Sequence, residues 1–260
     1  MADENTSGST YGIKKLDYPP IPINMTVSNP IEATYRINAC SKEPWTVEFI
    51  EGLSPDTWLI DVGANVGSYT LVAAARGLKA VASEPAYESV RSLCNNPLMN
   101  GWLDRAIPLC MAVSAKTGFD WLAFNDVRSG GNGNGIGSDA KPEFQHHRQV
   151  IPVMRLDDLM QLLPIPPTAP IAIKIDVDGG ELGVLQGAVN LLGSERVTAM
   201  MIEIQRDQEQ EIVGWLALHG WVIGERFDER PQVDGAHLAG GRMGNIFYAR
   251  FVPAGALVPA

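Results

Sequence analysis

No apolar stretch in this 260-residue sequence approaches the ~20 residues a membrane-spanning helix needs, and its opening MADENTSGST is polar. The expectation is a soluble, unexported chain. Basic runs are missing too. Lys and Arg number 20 against 30 Asp and Glu, a net charge of −10 that repels polyphosphate, so neither nucleic acid nor an anionic membrane surface is expected as a partner. The three cysteines, Cys40, Cys94 and Cys110, lack the close spacing of a zinc knuckle or redox motif. Reduced thiols used for packing, in a cytoplasm, fit that pattern. A small neutral or cationic substrate remains compatible with the charge.

Hydrophobic residues make up 45% of the chain, enough for one large core. We expect an N-terminal arm and lead-in over residues 1–45 and one catalytic domain over 46–260, with no internal repeat. The proline-rich start (Pro19, Pro20, Pro22) reads as a surface arm or a disordered tail. Alternation from Met25 to Ile37 predicts a strand, and Glu43 to Leu53 a helix with Pro44 in its first turn.

A regular pattern follows. Strand is expected at Thr57–Val62, helix at Ser68–Arg76 ended by Gly77, and strand at Leu78–Ser83. After a helix from Tyr87 to about Asn96 come strands at Ile107–Val113 and Phe119–Phe124. Residues 125–147 read as a polar loop, with five glycines between Ser129 and Ser138, too flexible for a regular element. It is either a mobile lid or a disordered insertion. Beyond it the pattern gives strand Ile151–Arg155, helix Leu156–Leu163, strand Ile171–Val177, helix Glu181–Leu192, strand Ala199–Gln205, helix Gln208–His219 and strands Trp221–Arg226 and Ile246–Phe251. Such alternation predicts an α/β fold, a doubly wound, mostly parallel seven-stranded sheet of Rossmann-like type with a short N-terminal extension. Trp102, Trp121, Trp215 and Trp221 read as core residues.

The segment Leu59-Ile60-Asp61-Val62-Gly63-Ala64-Asn65-Val66-Gly67 places an acid at a strand end and glycines at the turn into a helix. Gly63 leaves backbone open to a ligand, Gly67 permits close helix–strand approach, and the helix start offers free N–H groups to a carboxylate. A dinucleotide fingerprint would read G-x-G-x-x-G. Here the two glycines stand four apart, which suits the methionine end of S-adenosylmethionine. Glu84, followed by Pro85, comes 21 residues after Gly63, at the end of the next strand, where a carboxylate can accept both hydroxyls of a ribose. Dehydrogenases use such an acid as well, so an NAD-dependent oxidoreductase is the alternative from another class.

Further motifs sit in order: Arg155-Leu156-Asp157-Asp158-Leu159, then Ile173-Lys174-Ile175-Asp176-Val177-Asp178-Gly179-Gly180-Glu181 running on to Val184-Leu185-Gln186-Gly187-Ala188, and Ile202-Glu203-Ile204. With the glycine turn and Glu84-Pro85, they make residues 57 to 205 resemble the FkbM family of methyltransferases. The resemblance implies a class I methyltransferase fold, S-adenosylmethionine as donor and a hydroxyl acceptor on a sugar or secondary metabolite. N-methylation of a small amine is the other reading within the class, and a non-catalytic relative a third. Asp61, Gly63, Asn65, Gly67, Glu84 and Pro85 are the positions expected to serve the cofactor, with Ala112 in the strand near Ile107–Val113. The sequence departs from the family at Asp178, where a glutamate is usual.

Methyl transfer requires an in-line arrangement and removal of the acceptor's proton. Asp176, at the end of a central strand, is the expected base or positioning group, with Asp178 or Glu181 assisting. Alternation places Lys174, Asp176 and Asp178 on one side if the strand stays extended, and a buried Lys174 needs an acidic partner. An ion pair that only fixes the strand end is the structural alternative. Glu203, on the neighbouring strand end, would either hydrogen-bond within an acceptor pocket or join in holding Mg²⁺. His146 and His147 are candidate bases, or simply solvated. A small-molecule acceptor and a monomer or homodimer complete the expectations.

Overall fold

The computed structural model describes residues 11–124, 128–131, 135–137, 147–230 and 241–256. Seven strands build the central sheet: β1 (Trp58–Val62), β2 (Lys79–Ser83), β3 (Ala106–Leu109), β4 (Ile171–Ile175), β5 (Val197–Gln205), β6 (Trp221–Phe227) and β7 (Ile246–Pro253). Their order is β6-β7-β5-β4-β1-β2-β3. β7 runs antiparallel to both of its neighbours, β5 and β6, and the pairs from β5 to β3 are parallel. The doubly wound sheet expected from the alternation is therefore present. The chain winds outward from β1 to β3 and then restarts at β4 on the other side of β1. In such sheets the crevice at the strand C-termini beside this reversal takes the ligand.

Every residue of β1 and β4 is buried, because both faces of the sheet are covered. On one face Ile60, Val62, Ile173, Ile175 and Ile202 meet the short helix Leu156–Leu159, α4 (Glu181–Gln186), the turn Val189–Leu192 and α5 (Glu209–Leu218). On the other, Leu59, Ala172, Met201 and Tyr248 meet α1 (Pro44–Glu51), α2 (Ser68–Ala75) and apolar residues of the N-terminal segment. α3 (Tyr87–Asn100) lies between β2 and β3 in the chain and packs Leu93 against Ala64 and Ala82. Among the described residues no helix is long and apolar enough to cross a membrane.

Several local expectations are corrected. The lead-in forms a strand only over Asn24–Val27, paired with Gly12–Lys15, and then a π-helical turn at Glu32–Arg36. Leu16, Tyr18 and Ile23 are buried and anchor the described part of the arm, while its strand Gly12–Lys15 and Pro19, Pro20 and Pro22 are exposed. The strand expected at Ile107–Val113 divides between β3 and Ala112–Val113, which belongs to a second, four-stranded sheet with Gly118–Phe124, Gly135–Ile136 and His147–Met154. The glycine-rich stretch thus contributes a short strand, Ile136 facing Leu122. Residues 125–127, 132–134 and 138–146, including His146, lie outside the described residues. Trp121 is 52% exposed rather than core, and Cys94 and Cys110 are exposed while Cys40 alone is buried.

The helix expected at Glu181–Leu192 breaks at Gly187 and Ala188. Asp157 accepts N–H bonds from Asn190 and Leu191 and donates its own N–H to Gly187 O, tying this break to the second sheet's exit. A Cβ on Gly187 would stand 2.2 Å from the Ser114 carbonyl oxygen. Its φ of −77° suits any residue, so close approach alone demands glycine. Gly187→Ala should lower the thermal midpoint by several degrees, the effect of about 1–3 kcal/mol of overpacking. An unchanged midpoint in differential scanning calorimetry would contradict this packing.

Candidate functional site

A cavity of about 630 Å³ opens at the C-terminal ends of β1, β2, β4 and β5. The turn after β1 forms one wall. Gly63 has φ +79°, and a Cβ there would fall 1.8 Å from the Asp176 carbonyl oxygen, so the turn lies directly against the end of β4. Asn65 also adopts the left-handed region (φ +53°), as asparagine does more readily than most residues. Its side-chain N–H donates to Gly131 O at 2.7 Å, while its Oδ1 is buried without a protein partner. Gly67 caps α2 at φ +89° and, with Leu93 within 2.7 Å of a hypothetical Cβ, serves packing rather than the cavity lining.

Glu84 stands at the end of β2 and lines the cavity with Pro85. Its two carboxylate oxygens accept N–H bonds from Asn65 (3.0 Å) and Ala86 (2.8 Å). Each oxygen retains a lone pair. Burial pushes its pKa up to about 7, against the opposing pull of those amides and of Arg36. Ala112, from the second sheet, reaches the same wall, with Leu122 and Ile136 beside it.

The opposite end is built on charge. Lys174 is 2% exposed and paired in register with Asp61 across the β4–β1 ladder. Its ammonium lies 3.5 Å from Asp61 Oδ1 and 3.2 Å from Asp176 Oδ2. Burial disfavours the ammonium, but Asp176, Asp61 and Glu43 outweigh it and raise its pKa. Thr70 donates to the second Asp61 oxygen at 2.6 Å, and the Tyr69 ring lies 5.2 Å from the ammonium. Asp61 does not line the cavity; it reaches it through Lys174. Asp176 does line it.

The chain bends after Val177, because Asp178 takes φ +57° and Gly179 φ +112°. Asp178 therefore does not continue the alternation of Lys174 and Asp176, although it too borders the cavity. Glu181, 1% exposed, shapes this bend by accepting N–H bonds from Val177 and Gly179, and burial raises it to about 7. Glu203 on β5 faces Tyr248 on β7, whose hydroxyl donates to it at 2.5 Å. Burial and the negative Asp176 push Glu203 well above the carboxylate range.

Contributors absent from the sequence reading include Tyr35, Arg36, Glu43, Tyr69 and Tyr248. Glu43 is 1% exposed and bonded by the Tyr69 hydroxyl at 2.7 Å. Burial opposes its ionisation, but Lys42, Tyr69 and Lys174 prevail and hold it at about 2. Such residues give no motif at those positions; the return of the N-terminal segment over the sheet brings in Tyr35, Arg36 and Glu43, while Tyr69 stands on α2 and Tyr248 on β7. His147 is exposed and not in the cavity wall. Among the described residues, no three His, Cys, Asp or Glu side chains gather as metal ligands, and Asp176 and Glu203 are engaged by Lys174 and Tyr248, so the Mg²⁺ expectation finds no support.

Residues 61–228 match the family described as the methyltransferase FkbM domain. Among solved structures, the METTL16 methyltransferase domain aligns with a TM-score of 0.51 at 12% identity, covering 88% of this chain and 73% of that one. That likeness, together with the strand order, shows the class I methyltransferase fold. The FkbM methyltransferase of Methylobacillus flagellatus KT aligns at TM-score 0.46 and 15% identity, over 85% of this chain and 48% of that one, so this chain spans about half its length. M. capricolum TrmK, a complex with S-adenosylhomocysteine, aligns at 0.44 and 10% identity over 80% and 67%. No curated protein matches the sequence.

The raised carboxyl of Glu84 makes stability depend on pH. A folded-state pKa of about 7, above the ordinary 4.5, means the folded protein binds the proton more tightly than the unfolded chain. That contribution is complete below the unfolded value and is lost as pH rises through about 7. Urea unfolding at about pH 5 and about pH 8 should show a smaller loss of stability for Glu84→Gln than for the parent. An identical loss would contradict the burial assigned to this carboxyl.

Proposed function

We propose a function for this chain, which belongs to the FkbM methyltransferase family: it transfers the methyl group of S-adenosylmethionine to a hydroxyl of a small polar acceptor. The observation that carries this reading is one cavity with a ribose-type acid, Glu84, at one end and the Lys174, Asp176, Glu203 and Tyr248 cluster at the other.

The wall fits an adenosyl sulfonium. Gly63 leaves the space a Cβ would fill, Asn65 Oδ1 is an unpartnered acceptor, and Glu84 retains lone pairs for two ribose hydroxyls. When bound, S-adenosylmethionine supplies an electrophilic methyl on a positively charged sulfur. Pro85 and Ala112 offer apolar surface beside Glu84, while the N–H groups of Gly63, Ala64, Asn65 and Gly67 are already bonded to Ser83, Glu84 and Ala64.

At the other end Asp176 takes the acceptor's proton at its carboxylate. Lys174 fixes that carboxylate by ion pairing, while Asp61, itself held by Thr70, holds Lys174 in turn. Glu203 and the Tyr248 hydroxyl orient the acceptor as a neutral hydrogen-bonding pair. The net charge of −10 favours a small acceptor over a nucleic acid.

Asp176→Asn should lower turnover by about 10²–10⁴ while leaving S-adenosylhomocysteine affinity nearly unchanged. Incorporation of labelled methyl into small-molecule acceptors, followed by identification of the product, measures the first and calorimetry the second. Full activity in the variant would remove Asp176 from the chemistry, and label found on nitrogen would replace the hydroxyl acceptor with an amine.

A further inference from the structure

The strip Ser129–Gly131 crosses the edge of the cavity, Gly130 and Gly131 forming part of its wall. It is held from three sides, one of them α3, where Ser89 Oγ accepts the Gly130 N–H at 3.2 Å and the Ser92 and Ser129 hydroxyls lie 3.2 Å apart. Asn65, on the turn after β1, donates to Gly131 O. From the N-terminal segment, Arg36 donates through Nε to Gly130 O at 2.8 Å and through Nη2 to Gly131 O at 3.2 Å, while Asn29 donates to Ser129 O at 2.9 Å. The Ser129 hydroxyl donates to Glu32 at 2.7 Å, a carboxylate only 1% exposed. Gly130 adopts φ +81°, with the Glu32 and Arg36 side chains within 3.3 Å of where a Cβ would lie, so the strip sits directly on the π-helical turn.

Arg36 itself is anchored through its backbone. Its carbonyl accepts the Ser68 hydroxyl at 3.0 Å, on the first residue of α2. Its guanidinium lies close enough to Glu84 to favour that carboxylate's charged form. One side chain therefore touches the strip, borders the cavity and acts on the ribose-type acid. The family match starts at Asp61, so Arg36 comes from outside it.

We propose that Arg36 is a cofactor-retaining residue, clasping the strip Ser129–Gly131 over the nucleoside end of the cavity so that release of the bound cofactor requires its two bonds to Gly130 and Gly131 to open. The inference rests on the proposed function, since it takes the Glu84 end as the nucleoside end. The guanidinium reaches two successive carbonyls from two fixed, coplanar nitrogens, a fork an ammonium lacks. Opening exchanges both bonds for water, so the consequence falls on dissociation more than on encounter.

The test uses the full chain and S-adenosylhomocysteine as probe, with dissociation followed by surface plasmon resonance. Arg36→Ala should raise the dissociation rate by roughly tenfold to a hundredfold, with the association rate changed by less than about threefold. Arg36→Lys, which keeps the charge and the fold but not the fork, should fall between. The difference must persist at about pH 8.5, well above the value of about 7 to which burial raises Glu84. An unchanged dissociation rate in both variants would overturn the clasp, and so would an effect confined to neutral pH, which would place the action of Arg36 in the charge of Glu84. A parent chain that fails to bind S-adenosylhomocysteine would instead remove the proposed function, and this inference with it.

Discussion

The site depends on one buried cation. Lys174 lies in the middle of the sheet with almost no exposure, and an unpaired ammonium there would carry a desolvation penalty of several kcal/mol. Asp61 in register on β1 and Asp176 at the end of its own strand offset that penalty, and each is itself fixed in doing so. Removing one member of such a group typically costs ~3–5 kcal/mol, because the others are left buried and charged. The pairing thus holds together the two central strands at the point where the sheet reverses direction. It also presents Asp176 to the cavity in one orientation. The structural and the chemical readings of Lys174 are two consequences of the same geometry.

Around that pairing the work is divided by origin in the chain. The turn after β1 and Glu84 fall within the family-matched residues and build the end proposed for the donor. Much of the remaining wall comes from outside that span. Tyr35, Arg36 and Glu43 arrive from the N-terminal segment and Tyr248 from the last strand. A family that keeps its donor end and varies its flanks would keep its chemistry while changing its acceptor.

What the sequence made legible follows the same division. Periodicity and buried valine- and isoleucine-rich runs revealed β1, β2, β4 and β5 to within a residue or two, because strands covered on both faces have little freedom in composition. Gly63 and Glu84 were readable since a turn against backbone and an acid at a strand end leave local marks. Glu43 and Tyr35 were not, because their place depends on how the N-terminal segment returns over the sheet, which has no sequence period; Tyr69 was not because a single aromatic on α2 carries no motif. The second sheet was hidden for a related reason: its short strands Ala112–Val113 and Gly135–Ile136 are too brief to show alternation. Asp178 misled the strand reading because an aspartate can enter the left-handed region, ending the extended run two residues early.

The central claim, that one cavity seats the methyl donor at Glu84 with its sulfur directed to the Lys174–Asp176 end, is tested most directly by a crystal structure of the chain soaked with S-adenosylhomocysteine. The account predicts both ribose hydroxyls on the Glu84 carboxylate, the amino-acid end along the Gly63–Gly67 turn and the sulfur facing Asp176. Density for the ligand with its ribose away from Glu84, or with the sulfur turned from Asp176, would contradict it.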